Sequence, residues 1–498
     1  MLLVFTPRMK AFSLLGPYTD WMVNTNGYRE ATDIGGPMNI NEEYRWNVPV
    51  ITYGFDQSFL NYFGSNGVVA VESAIQILND LPAASDIILS NYPSATERMD
   101  FQAAALNVYD LKSTALVLLV EHLGLGQPTR NILDLKSWSP DLQYPPPVCT
   151  NEVCPQLIKV QNDVIQRNFD PETLDSSFVV NGTPYSGYLY SNGLHDIIEF
   201  PLDPEAPTDS AVADGFSFWY TGLQPGGFYL GLTADDAGGL RYLLNVTNVN
   251  WERLPADVLF RSIAGRELRR VRGAWRPGVE KITFLPQPQN KRGKFKTAVF
   301  NFTAAYVTNG VTVEQPVRRV VRHPDILFSA ADAYLSDSNS PIFLRTGTSG
   351  WINNAGQNGN PTNAGPGVIN SPVQITFDDL GPDVLSGSSF NPAVVMNRGW
   401  ASFDESTNPP VLYPPNTGQN QLLVRLHFYD ITAMPLAEVS TTLFKVAVPF
   451  GSPATLQIST NQTDWISVAA VTNSGSIVRW DYLGTKTPVS FTVVPGAL

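Results

Sequence analysis

Between Asp110 and Gly124 the chain reads Asp110-Leu-Lys-Ser-Thr-Ala-Leu-Val-Leu-Leu-Val-Glu-His-Leu-Gly124, and its middle, Ala115 to Val120, is apolar on every side. A helix without a polar face cannot lie on a surface, so this segment predicts a helix buried between other layers. Asp110 supplies an N-cap, and Gly124 the residue at which the backbone can turn left-handed and stop the helix. At 498 residues the chain is too long for a single core, so this helix is expected in one of several domains.

Extended to Gln127, the same stretch resembles the active-site helix of the metzincins, whose H-E-x-x-H-x-x-G-x-x-H pattern holds a zinc ion with three imidazoles. With the motif's glycine anchored on Gly124, the ligand positions fall on Val117, Glu121 and Gln127, and the general base on Leu118. None is a histidine. Sliding the register to use His122 puts Leu118 and Pro128 at the other ligand positions and Leu125 at the glycine, which fits worse. The resemblance therefore implies a pseudo-metalloprotease: no metal, no cofactor and no catalysis. Two further features carry it. A strand at Trp46–Phe55 precedes a helix from Asn66 to Asp80, with Val68, Val71, Ile75 and Leu78 on one face, as in the matrixin branch. The segment Gly231-Leu-Thr-Ala-Asp-Asp-Ala-Gly-Gly-Leu-Arg-Tyr-Leu-Leu244 is similar to the matrixin helix that follows the zinc site, and Thr233 and Asp236 have capping-box spacing. About 100 residues separate that segment from Gln127, which implies an insertion over about 128–230. The resemblance covers 45–127 and 230–245.

The remaining sequence predicts a β-rich α+β protein of several domains. Residues 1–40 read as an extended arm whose apolar start could pair with a neighbouring sheet edge. A degenerate zincin-like α/β domain is expected over 41–250, a β-rich basic domain over 251–404, and an Ig-like β-sandwich over 405–498. In the last, Ile458-Ser-Thr-Asn-Gln-Thr-Asp-Trp465 followed by Val471-Thr-Asn-Ser-Gly resembles the C-terminal sandwich of some large secreted bacterial proteins, where the module is an add-on.

Only 15% of residues are charged, while 11% are aromatic and Gly and Pro number 38 and 39. This balance suits a secreted, extracellular or cell-surface protein better than a cytosolic helical enzyme. Cys149 and Cys154 are close enough to form a loop disulfide in an oxidising compartment, with free thiols and a metal site as alternatives. No apolar run approaches the roughly 20 residues of a membrane-spanning helix.

Charge is segregated along the chain. From Arg253 to Arg322 there are 15 Lys and Arg against 4 Asp and Glu, a balance of +11, so the remainder carries −24 of the total −13. Such polarity favours docking on an anionic partner, and a second copy of the chain is one. The candidate binding residues are Arg266, Arg269, Arg270, Arg272, Trp275 and Arg276, with Lys291 and Arg292 at a predicted hairpin tip. A pI near 4.8 argues against nucleic acid as the main ligand. Asp235 and Asp236 read as cap and dipole partners rather than an acid–base pair. No nucleophile elbow or phosphate loop accompanies the four histidines.

Two functions from different classes fit this pattern. The first is a non-catalytic structural protein that self-associates into a filament, layer or adhesive surface assembly, with itself or other surface components as partner. The alternative is a secreted protein that binds or hydrolyses glycans, anionic ones included, with the sandwich as a carbohydrate-binding module.

Overall fold

A computed structural model describes residues 10–17, 19, 21–22, 35–141, 159–191, 197–202, 223–260, 271–330, 346–347, 351–353, 366–369, 371–377, 393–396, 399–405, 409–413, 421–430, 437–448, 452–459, 461–473, 477–484 and 490–496. The fold is β-rich, with few helices and many small sheets. Cys149, Cys154, Arg266, Arg269 and Arg270 lie outside the described residues.

The central sheet has five strands in the order Thr283–Pro286, Val50–Phe55, Ile326–Ser329, Val373–Thr376 and Thr346–Gly347. The first four run parallel and the last is antiparallel. Ile51, Phe284, Ile326, Phe328, Val373 and Ile375 are buried, as strands covered by helices require. Helix α1 (Gln57–Asn79) follows the second of these strands directly and packs on the sheet. It begins earlier than the apolar periodicity predicts. Asp56 caps it by accepting from the Phe59 N–H at 2.9 Å, and a break at Gly64 (φ 62°) separates this first turn from the predicted amphipathic stretch. Beyond Gly64, Val71, Ile75 and Leu78 are buried, on the predicted face.

Helix α2 (Leu111–His122) packs against α1 and is enclosed, with Ala115, Leu116, Leu118, Leu119 and Val120 all buried. Helix α3 (Ala234–Leu244) opens with the Thr233–Asp236 capping box in both directions. The predicted arm is not free where it is described. Phe12–Gly16 is a buried strand paired with Gly36–Met38, Leu125–Gly126 and Asn168–Phe169, because its apolar side chains contribute to the main core.

A second five-stranded sheet, here the basic sheet, has the order Asn250–Arg253, Gly273–Arg276, Ala298–Thr308, Val311–Val321 and Val258–Phe260. The expected division at residue 250/251 does not appear. Strands from 283–286, 326–329 and 373–376 join Val50–Phe55 in one sheet, and a single apolar core runs from Phe12 to Tyr413. The separate C-terminal core begins later than residue 405. Val411–Tyr413 pairs with Gly399–Ser402, and Tyr413 packs on Phe63 in the main core. Leu422, Val424, Leu426, Leu456, Val471, Val478, Trp480 and Val493 form the second core between two sheets, one of which recruits Ala393–Met396.

Buried arginines join the basic sheet to the rest. Arg319 donates to Asp257 Oδ2 (2.8 Å), to the Val50 carbonyl (2.9 Å) and to both oxygens of Asp325. Asp325 also accepts from the Thr52 N–H at 2.7 Å. Arg45 donates to Glu252 Oε1 (2.7 Å) and to the carbonyls of Leu243, Asn248 and Arg276. Breaking a buried pair strands the partner's charge, so Arg319→Met should destabilise the main core by about 3–5 kcal/mol. Adding Asp325→Asn should recover part of that loss. Denaturant unfolding of both variants measures this; a loss below about 1 kcal/mol for Arg319→Met would show that the network carries little.

Candidate functional site

The C-terminal turn of α2 is held from three directions. Trp46 donates its indole N–H to the His122 carbonyl at 2.8 Å, satisfying one of the helix's last acceptors. Gly124 adopts φ +112°, and a Cβ there would stand 2.3 Å from the Tyr44 carbonyl oxygen, so only glycine fits. The Gly124 carbonyl in turn accepts from Leu15 N–H at 2.8 Å, which ties the turn to the N-terminal strand. Sequence reasoning identified Gly124 as the stop but not Trp46, whose role depends on a contact 76 residues away.

This turn brings together two of the four positions singled out by the metzincin alignment. Gln127 Nε2 donates to Glu121 Oε1 at 3.3 Å across the Gly124 turn. Val117 lies one helical turn before Glu121, and both are half-buried; Leu118 is buried. A carboxylate, an amide and two aliphatic side chains form no tetrahedral nitrogen or sulfur donor set for zinc. Leu118 has no group that could take a proton from water. Among the described residues, no group of three or more His, Cys, Asp and Glu could hold a metal ion.

His122 points elsewhere. It is 1% exposed, its Nδ1 meets the Leu118 carbonyl at 2.6 Å, and its Nε2 has no hydrogen-bond partner. A carbonyl accepts, so Nδ1 carries the proton of a neutral ring. Burial pushes its pKa down to about 4, against a smaller upward pull from the Leu118 carbonyl.

The acidic groups nearby serve the fold. Asp110 caps α2, accepting from the Ser113 N–H at 2.8 Å and from the Ser113 hydroxyl, and burial raises its pKa to about 6. Asp236 closes the capping box, while Asp235 accepts from the Asn181 N–H at 2.6 Å and is pushed up to about 7 by burial. The two carboxyls are bonded to different segments, Asp235 to Asn181 and Asp236 to Thr233.

The predicted basic cluster divides. Arg276 is buried, bonded to the carbonyls of Ala305, Val271 and Arg272, and lowered to about 10 by burial. Arg272 donates to the carbonyls of Leu254, Pro255 and Val258 and lies 5.5 Å from the Phe260 ring centroid. These two arginines brace the sheet rather than present themselves to a ligand. Trp275 faces out, 43% exposed, and Lys291 and Arg292 occupy an exposed turn closed by the Gln289–Phe295 bridge.

No family model, no curated protein and no solved structure matches this chain.

The His122 environment gives a testable pH dependence. Its folded pKa lies below the unfolded value of about 6.5, so folding excludes the proton. The stability it contributes is complete above pH 6.5 and is lost as pH falls through about 4. The raised Asp110 and Asp235 act in the opposite sense, losing stability as pH rises through about 6 and about 7. A His122→Gln variant isolates the histidine: its stability relative to wild type should rise by on the order of 3 kcal/mol between pH 7 and pH 4. Parallel curves in thermal or denaturant unfolding would refute this reading.

Proposed function

We propose that this chain is a non-catalytic structural protein of an extracellular or cell-surface setting, built on a zincin-like domain without zinc ligands, whose copies associate. The observation that carries the reading is the Glu121–Gln127 contact across Gly124. Positions that the metzincin resemblance assigns to zinc ligands converge at the end of a helix, and the side chains there cannot do the chemistry. The helix is held by Trp46, Gly124 and the core around it, none of which requires a metal.

One feature supports a structural role with self-association. The segment from Arg253 to Arg322 is basic in a chain of net charge −13, so unlike charges of two copies attract when the copies are oriented head to tail. Among the described residues, no helix is long and apolar enough to cross a membrane.

Two experiments test the two halves of this reading. Elemental analysis of the purified protein should find no stoichiometric zinc, whereas the combined substitution Val117→His, Glu121→His and Gln127→His should create a site that binds about one zinc per chain. A folded triple variant that takes up no zinc would show that the three positions do not converge as the alignment requires. Sedimentation and electron imaging should reveal oligomers or polymers at about 0.05 M salt that loosen toward about 1 M. A monomer at every salt concentration would eliminate the self-association.

A further inference from the structure

The outward face of the basic sheet carries side chains that neither the core nor the α2 turn uses. Residues directly opposed across a ladder share a face. Trp251 opposes Trp275, Trp275 opposes Val307, and Val307 opposes Thr312, while Arg253 opposes Gly273 two residues along. The alternate positions Asn250, Glu252, Ala274 and Arg276 are buried, so this row points to solvent.

The row has a defined geometry. The two indoles meet edge to face, with ring centroids 6.0 Å apart and planes at 80°. Gly273 provides the space beside them. At the position a Cβ would occupy there, the Arg253 Cγ lies 3.4 Å away, the Trp251 Cζ2 3.6 Å and the Arg253 Nε 3.8 Å. The Trp251 ring edge and the Arg253 guanidinium thus lie side by side over the glycine. Among the described residues, neither the Arg253 guanidinium nor the Trp275 indole N–H has a hydrogen-bond or ion-pair partner.

The same face continues along the long hairpin. Thr303 and Asn301 are exposed, and Asn301 opposes Arg318, which is also exposed and without a partner among the described residues. Arg318 in turn opposes Leu259, 48% exposed. Val307 lies six positions beyond Asn301, so the face spans about 20 Å along the strand.

We propose that this face binds an acidic polysaccharide, with sugar rings resting on Trp275 and Trp251 and carboxylates meeting Arg253 and, farther along, Arg318. An indole offers a large apolar surface to the C–H face of a sugar ring and a polar N–H to its hydroxyls. A guanidinium matches a carboxylate with two parallel hydrogen bonds. Between these anchors the face carries the amide and hydroxyl groups of Asn301, Thr303 and Thr312 and one exposed carboxylate, Glu314, a polar lining that suits a polyhydroxylated chain better than the charge-depleted core of a protein interface. Nucleic acid would need many cationic contacts to its phosphates, and this face offers few free guanidiniums in a chain of net charge −13. The length of the face selects a polymer over a single sugar. This binding is independent of whether copies of the chain associate.

Affinity electrophoresis of the full chain through gels containing polygalacturonate, or neutral dextran as control, tests the site. Polygalacturonate should retard the wild type and dextran should not. Trp275→Ala and Arg253→Gln should each weaken binding by about tenfold, and Trp275→Phe should retain most of it. Both positions are exposed, and unchanged melting temperatures will show that the variants fold. No retardation of the wild type, or equal retardation of the two weakened variants, would overturn the proposal. So would Trp275-dependent binding of a single-stranded oligonucleotide in preference to polygalacturonate. Loss of self-association in the same variants with no polysaccharide binding would reassign the face to a contact between copies.

Discussion

The structure depends on a charge that water cannot reach. Arg319 is 1% exposed and Asp325 is fully buried, so each would be costly to bury alone. The cost is offset only because the guanidinium fork is filled by Asp325, Asp257 and the Val50 carbonyl, while Asp325 accepts from Thr52 as well. These bonds run from the long hairpin of the basic sheet to two strands of the central sheet. A slip of one residue in that hairpin would turn the buried Val317 and Val321 outward, and in the direction that brings Val320 to the Arg319 position it would leave Asp325 without its cation. The network therefore fixes register as well as contact. Arg45 acts similarly, joining Glu252 to the Leu243 carbonyl in the last turn of α3.

With the two sheets fixed in this way, α2 has little freedom. A helix that is apolar all round has no preferred side, so its rotation is set at its ends, by Asp110 at the start and by Trp46 and Gly124 at the finish. The enclosing side chains need the helix for packing whether or not its last turn bears ligands. The core around α2 thus holds its place and pitch whatever side chains stand at its last turn. The His122 ring shows the cost of burial beside it: neutral, bonded back to Leu118, and turned away from Glu121 and Gln127 in role if not in sequence.

What could be read from the sequence was local. Asp110 and Gly124 mark the ends of α2, and Thr233 with Asp236 marks the start of α3, because capping acts over three or four residues. The C-terminal strands follow from their own alternation and spacing. Long-range pairing was not legible. Nothing near Val50 announces that strands from residues 283, 326 and 373 will flank it, so the main core looked like two domains. The start of α1 was missed because Gly64, which leaves helical geometry, separates Phe59 and Phe63 from the later run, although both are buried in the same core as Val71 and Ile75. Alternation did hold one overlooked clue: Arg319 shares its strand face with Val317 and Val321, both buried.

The same alternation resolves the basic segment. Its charge reads as a single patch in one dimension, but a strand sends successive side chains to opposite faces. Arg276 and Arg319 go inward, where the terminal nitrogens of Arg276 are bonded to carbonyls and the guanidinium of Arg319 to Asp257, Asp325 and the Val50 carbonyl. Arg253 and Arg318 go outward, beside Trp275 and Leu259, with their guanidiniums open to solvent. A count of charges along the chain therefore overstates the surface potential of this sheet and conceals its division of labour. One set of arginines assembles the fold by neutralising buried acids, and the other is left to meet whatever anion approaches from outside.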